Sequence, residues 1–207
     1  MLVLIKGAGD LATGTAVRLY RAGIKVVMTE VARPTAVRRT VAFSQCMYDG
    51  AAQVEGIAAR RAEDAGAARR ALKRGEVPVL CDPEAAILGE LPFGGVVDAI
   101  LAKRNLGTAI TDAPVVLALG PGFTAGVDCH GVVETMRGHD LGRLLTRGSA
   151  APNTGVPGDV GGYTIQRIIR APADGVFEPL AAIGQRVEEG QPVARVAGRT
   201  ACALRRS

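Results

Sequence analysis

The chain has 207 residues, 48% of them hydrophobic and 22% charged, with a formal net charge of +5. That length allows one large domain or two small ones with cores of their own. No apolar run approaches the roughly 18 residues that span a bilayer, and aromatics at 3% with no Trp exclude a stacking platform for single-stranded nucleic acid.

The basic surplus suits anionic small molecules, with neither nucleic acid nor membrane as a partner. Met1 to Ile5 is too short for a signal-peptide core and lacks a basic start, so a cytoplasmic location is expected. Cys46, Cys81, Cys129 and Cys202 are widely spaced with no C-x-x-C pair, which argues against a disulfide framework or a thiolate zinc site.

In chain order, Leu2 to Ile5 reads as a buried strand, Gly7-Ala8-Gly9-Asp10-Leu11-Ala12 as a turn, residues 11–22 as a helix, and Lys25 to Thr29 as a second strand that ends at Glu30. This is a G-x-G-x-x-A fingerprint in its strand–helix–strand context. Gly7 allows the tight turn, Gly9 lets the backbone approach a pyrophosphate, and Ala12 takes the third slot, close to the sheet. Free N–H groups opening the helix favour an anion there. Glu30 is placed to accept hydrogen bonds from a ribose. Asp10 argues against ordinary dinucleotide binding, because it adds negative charge beside the expected pyrophosphate.

Thr40 to Phe43 and Gln53 to Ile57 read as short strands around a loop at Tyr48-Asp49-Gly50. Residues 60–74 read as a helix with Arg60-Arg61 and Arg69-Arg70 on its solvated face. Val77 to Cys81, Val96 to Ile100 and Val115 to Leu119 follow as buried strands, with a short helix from Glu84; Pro78 implies an edge or a strand start. The alternation predicts an α/β fold with a Rossmann-like, mainly parallel sheet over residues 1–124. Residues 125–207 are expected to form a Gly/Pro-rich connector and a small β domain. Its turn grammar, Ala171-Pro172-Ala173-Asp174-Gly175 and then Gly184 to Val193, resembles half of a lipoyl/biotinyl-type barrel sandwich. No lysine follows Lys103, so covalent cofactor carriage is not expected.

Acids recur near strand ends: Glu30, Asp82, Asp98, Asp112 and Asp128. Ligands of open α/β sheets bind at the carboxyl ends of strands. Asp82, Asp98 and Asp112 would hold ribose hydroxyls, hold a Mg²⁺ ion bridging phosphates, or cap the following segment. Lys103-Arg104-Asn105 is the phosphate-binding candidate outside the first loop. The segment from Asp128 to His139 holds both histidines of the chain. The spacing of His130, Glu134 and His139 matches no compact metal signature, so substrate contacts or structural hydrogen bonds are expected there rather than a metal. Catalytic residues stay unassigned.

Three blocks resemble one family. They are Gly7-Ala8-Gly9-Asp10-Leu11-Ala12-Thr13-Gly14; then Lys103-Arg104-Asn105 with Asp112-Ala113-Pro114 and Gly120-Pro121-Gly122-Phe123; then His130 to Arg143 with Pro152-Asn153-Thr154-Gly155. Together they resemble the YqeB-type accessory proteins of selenium-dependent molybdenum hydroxylase systems, which are distantly similar to the XdhC/CoxF maturation factors. The resemblance implies a factor that helps to mature a molybdopterin cofactor or insert it into a molybdenum hydroxylase. Whether there is turnover is left open.

Gly7, Gly9, Asp10, Ala12 and Glu30 would then bind the nucleotide or pterin group. Asp98, Asp112, Lys103, Arg104 and Asn105 would hold phosphate or Mg²⁺, and His130, Glu134, Arg137 and His139 would contact the bound group. The partners implied are the hydroxylase or its maturation proteins, with a homo-oligomer as a further possibility. The resemblance also implies a C-terminal β unit that runs on for some tens of residues, so an end at Ser207 would leave it incomplete. The alternative is an NAD(P)-dependent oxidoreductase, for which Glu30 would favour NAD over NADP and His130, His139, Tyr48 or Lys103 would supply the proton.

Overall fold

The computed structural model describes residues 1–155, 159, 161–165 and 168–202. The Val156-Pro157-Gly158 part of the connector and the end from Ala203 lie outside the described residues. The chain divides into two compact units, Met1–Asn153 and Thr154–Ser207.

The first unit is built on one mixed, mainly parallel sheet. In chain order its strands are β1 (Leu2–Lys6), β2 (Lys25–Glu30), β3 (Ala51–Val54), β4 (Ile57–Ala62), β5 (Val77–Cys81), β6 (Gly95–Asp98), β7 (Val116–Leu119), β8 (Gly131–Val133) and β9 (Leu144–Leu145). Among the described residues, these nine lie in the order β3-β4-β5-β2-β1-β6-β7-β8-β9. All neighbours are parallel except the edge pairs β3–β4 and β8–β9. Helices α1 (Asp10–Arg21), α2 (Cys46–Asp49) and α3 (Ala65–Lys73) complete it, with short 3₁₀ turns at Arg39–Val41, Phe43–Gln45 and Ala86–Gly89.

The strands read as continuous apolar runs because both faces of the sheet are covered. Alternate residues serve alternate faces. Val3, Ile5, Val26 and Met28 pack with Ala12, Ala16 and Val17 of α1, whereas Leu4, Val27 and Leu80 pack with Ala65 and Ala68 of α3.

Four expectations are corrected. Thr40 to Phe43 is not a strand. The Phe43 N–H donates to Thr13 Oγ1 at 2.8 Å and the Ser44 N–H to the Ala8 carbonyl at 2.8 Å, and these bonds fasten the segment to the start of α1 in 3₁₀ turns. Gln53 to Ile57 is not one strand: Gln53 and Val54 end β3, Ile57 begins β4, and Glu55 and Gly56 between them, at φ 50° and 80°, are the positive pair that a tight hairpin turn requires. The helix read over 60–74 begins only at Ala65. Asp64 caps it, its Oδ1 accepting from the Ala67 N–H at 2.6 Å, and Arg60 and Arg61 belong to β4. The expected boundary at 124/125 falls inside the first unit, because β8 and β9 extend the sheet beyond β7 despite their glycine-rich surroundings. Pro78 lies at the second position of β5, which is flanked by β4 and β2, so it marks a strand start rather than an edge.

The second unit contains a small antiparallel sheet, in the order β10 (Phe177–Pro179), β11 (Pro192–Val196) and β12 (Arg199–Cys202). Ala194, Val196 and Ala201 are its buried apolar residues, while Val176, Phe177 and Ile183 are exposed.

Candidate functional site

Because β1, β2, β6, β7 and β8 run parallel, Gly7, Glu30, Asp98, Gly120 and Glu134 all fall at the same, carboxyl edge of the sheet. The chain leaves β1 for β2 on one side and later crosses to β6 on the other. The gap above β1 is therefore a topological switch point, where open α/β sheets place their ligands. A cavity of about 340 Å³ lies there, lined by Gly7, Gly9, Asp10, Glu30, Pro34 and Ile100 among others. Four of the expected site residues are thus brought together. Ala12, fully buried, packs against the sheet as its slot requires.

The two glycines of the turn differ in origin. Gly7 has φ +93°, and a methyl group on it would stand 3.0 Å from the Ala99 carbonyl oxygen and the Ile100 Cα, so fold and packing both demand glycine. Gly9 has φ −64°, open to any residue, and a methyl there would meet nothing within 4 Å. Its missing side chain leaves space that belongs to the cavity.

Glu30 is already engaged: the Ala8 N–H donates to Oε2 at 2.9 Å and the Val31 N–H to Oε1 at 2.8 Å. It ties the glycine turn to the end of β2, and each oxygen keeps a second lone pair for a ligand. Asp10 is ion-paired with Arg38, whose Nη1 lies 2.8 Å from Oδ2. The charge that looked hostile to an anion is neutralised by a residue with no sequence signal of its own. No side chain caps α1, and its first residues, Asp10 and Leu11, border the cavity.

Asp98 is 1% exposed and lies beneath the crevice. The Ile100 N–H donates to its Oδ1 at 3.2 Å and Thr108 Oγ1 to its Oδ2 at 2.6 Å, while Lys6 Nζ donates to Thr108 Oγ1 at 2.7 Å. Lys6 is itself 3% exposed and lies opposite Asp98 in the β1–β6 register. Sequence reasoning missed Lys6 and Thr108; the available signal was a lysine ending an otherwise apolar strand. Asn105 builds the loop that delivers Thr108. Its Oδ1 accepts from the Gly107 and Thr108 N–H groups at 2.9 and 2.8 Å, and its Nδ2 donates to the Thr108 carbonyl at 2.8 Å. Lys103 and Arg104 are exposed beside it, with Lys103 at φ 63°.

The other acids cap and turn the chain. Asp82 accepts from the Ala86 and Ile87 N–H groups, Asp112 from that of Ala109, and Asp128 from that of Thr124. Glu134, 7% exposed, accepts from the Met136 and Ala151 N–H groups, both at 2.7 Å. Burial works against its ionised form, but backbone donors at Ala151, Met136 and Thr135 outweigh that and hold the carboxyl below the ordinary glutamate range. Glu134 thus fastens the loop after β8 instead of facing a ligand.

His130 precedes β8 and lies at the opposite, amino edge of the sheet. Its Nδ1 accepts from the Val116 N–H at 3.0 Å, which leaves the ring proton on Nε2. It is not brought together with Glu134, Arg137 or His139, of which the last two are exposed on the far side of β8. Among the described residues no cluster of His, Cys, Asp and Glu suits a metal ion. Burial pushes the Cys46 thiol up to about 11 and raises that of Cys129 as well, so both behave as small core residues.

Parts of the second and third sequence blocks meet at the carboxyl edge. A methyl on Gly122 would stand 2.5 Å from the Arg104 nitrogen, and one on Gly120 would stand 2.6 Å from Thr135 Oγ1 and 3.3 Å from Leu101 Cδ2. The loops after β6, β7 and β8 therefore pack against one another.

No family model matches the chain, and no solved structure matches it. It is 53% identical over 193 residues to the curated Escherichia coli (strain K12) protein YqeB, itself uncharacterized. The match covers 93% of this chain but 36% of the relative, so the chain spans about a third of that protein's length. Over that span, the chain matches the YqeB label that its three residue blocks pointed to.

Proposed function

We propose that the first unit is a Rossmann-like cofactor-binding domain and that the protein is a maturation factor for a molybdenum hydroxylase. In this reading it holds a nucleotide or molybdopterin-type cofactor at the switch-point crevice and aids its modification or insertion. One observation carries the reading: Gly9 leaves space inside the cavity, between the open N-terminus of α1 and the Glu30 carboxylate, with no demand from backbone or packing. A phosphate would approach the Gly9 backbone and the first N–H groups of α1, and a ribose hydroxyl would donate to Glu30. Arg38 neutralises Asp10 beside it.

Two of the four candidate proton donors count against hydride transfer. Tyr48 donates its hydroxyl proton to the Pro34 carbonyl at 2.6 Å, and His130 sits at the far edge of the sheet. We further read the second unit as the half barrel sandwich expected of residues 171–193, serving as an interaction module for the hydroxylase or its assembly proteins. Four free cysteines fit work in the reducing cytoplasm. No helix among the described residues is long and apolar enough to cross a membrane.

The test is Gly9→Val, which the backbone and surrounding space tolerate. Calorimetry with ADP, NAD and molybdopterin is expected to show saturable binding to the parent protein. The variant should lose at least about tenfold in affinity at an unchanged melting temperature. Equal binding by both proteins, or none by the parent, would sink the reading.

A further inference from the structure

Helix α1 borders a second cavity, also of about 340 Å³, on its flank away from the switch point. Its walls include Gly14 and Val17 of α1, Arg38 and Val41 of the following turn, and Gln53 and Glu55 of the β3–β4 hairpin. Asp10 and Leu11 line both cavities, so the two lie side by side at the first turn of the helix.

Gly14 is the unexplained residue. It lies in the middle of α1, where glycine weakens a helix. Its φ is not positive, and a methyl group there would meet nothing within 4 Å. Neither conformation nor packing within this chain accounts for the missing side chain. What its absence does is keep the floor of the second cavity open.

The chemistry around that floor is specific. Arg38 lines the second cavity and reaches its border with the first: Nη1 is on the shared Asp10, and the side chain is 69% exposed, which leaves other donors of its guanidinium fork free to take a phosphate. Beyond it, Leu11 and Val41 are each 45% exposed. They offer an apolar surface to the face of a ring. Thr40 and Gln53 make no side-chain hydrogen bond to a described residue, and they supply donors and acceptors for the polar edge of a ring or a sugar. The far end is held by the Arg21–Glu55 ion pair at 2.8 Å.

We propose that the two cavities are the two halves of one site for a pyrophosphate-linked ligand of dinucleotide length. One nucleoside lies in the switch-point crevice, the pyrophosphate crosses at Arg38, and the second nucleoside lies over Gly14. The proposal rests on the nucleotide reading above and adds the length and the path of the ligand.

Gly14→Leu fills the second cavity from an exposed helical position and leaves the crevice untouched; Gln53→Ala removes the polar edge from an exposed strand. Binding of AMP and of NAD to the full chain and both variants would be measured by calorimetry, with circular dichroism as the check on folding. The parent is expected to bind NAD at least about tenfold tighter than AMP. Gly14→Leu should abolish that advantage while AMP affinity stays within about twofold, and Gln53→Ala should remove part of it. If NAD binds no tighter than AMP, or if the substitutions weaken both alike or neither, the second half-site is wrong and the crevice reading survives. If neither probe binds the parent, the nucleotide reading falls and this inference falls with it.

Discussion

Glu134 remains charged although it is almost out of water, because two backbone N–H groups point at it. Its removal should therefore cost more than an ordinary surface acid. Glu134→Gln replaces one acceptor oxygen with an amide that donates, leaving a buried N–H without a partner, and a loss of about 1–3 kcal/mol in chemical denaturation is expected. Because the folded-state pKa lies below the unfolded value, this contribution is fully present above the ordinary glutamate range. It is lost as the pH falls through that range toward the depressed value. The gap between parent and variant should narrow accordingly in acid; a gap independent of pH would contradict the assignment.

Asp10 makes a complementary case. Asp10→Asn removes a negative charge from the mouth of the crevice and frees Arg38, so ADP should bind roughly two- to fivefold tighter at low salt, an advantage that fades as salt is added. These residues also show where sequence reading stops. The position of Glu30 at the tip of β2 followed from the fingerprint, but its two backbone partners did not. Arg38 was invisible, because the pairing with Asp10 depends on how the segment after β2 folds back onto α1.

At the scale of elements, the strongly patterned pieces were legible. β1, α1, β2, β5, β6 and β7 lie within one or two residues of their expected bounds, because continuous apolar runs and a helical stripe report burial directly. The segment from Thr40 to Ala62 was not, since its short apolar stretches suit a strand or a turn equally until tertiary hydrogen bonds choose. Phe43 went to Thr13, and Glu55-Gly56 closed a hairpin. The helix over 60–74 was overextended because its alanines kept the periodicity after β4 had claimed Arg60 to Ala62. Asp64 sets its true start, and Asp64→Ala should cost about 1 kcal/mol. Gly14→Ala makes the opposite prediction. With open space around the new methyl group, it should stabilise the protein by roughly 0.5–1 kcal/mol. Both are read from melting curves, and a destabilised Gly14→Ala would mean that the glycine serves the fold after all.

At the scale of the molecule, the division at Asn153 means that the crevice, the flank cavity and both apolar layers of the large sheet belong to one unit. Residues 1–153 expressed alone should unfold cooperatively and bind ADP with the affinity of the full chain; a molten or non-binding fragment would show that the second unit completes the fold.

The glycines at the carboxyl edge give the molecule one more property. At Gly7, Gly120 and Gly122, the loops after β1, β6, β7 and β8 touch with no room for a further side chain between them, so there is little slack to absorb a displacement. A ligand that pushes Ile100 shifts its neighbours Leu101 and Arg104, which press on Gly120 and Gly122, and Gly120 in turn abuts Thr135. If a ligand occupies the crevice, these contacts predict movement at the exposed turn carrying Arg137 and His139, three strands away. Hydrogen exchange at that turn should slow when ADP binds. An unchanged rate would mean that the loops move independently.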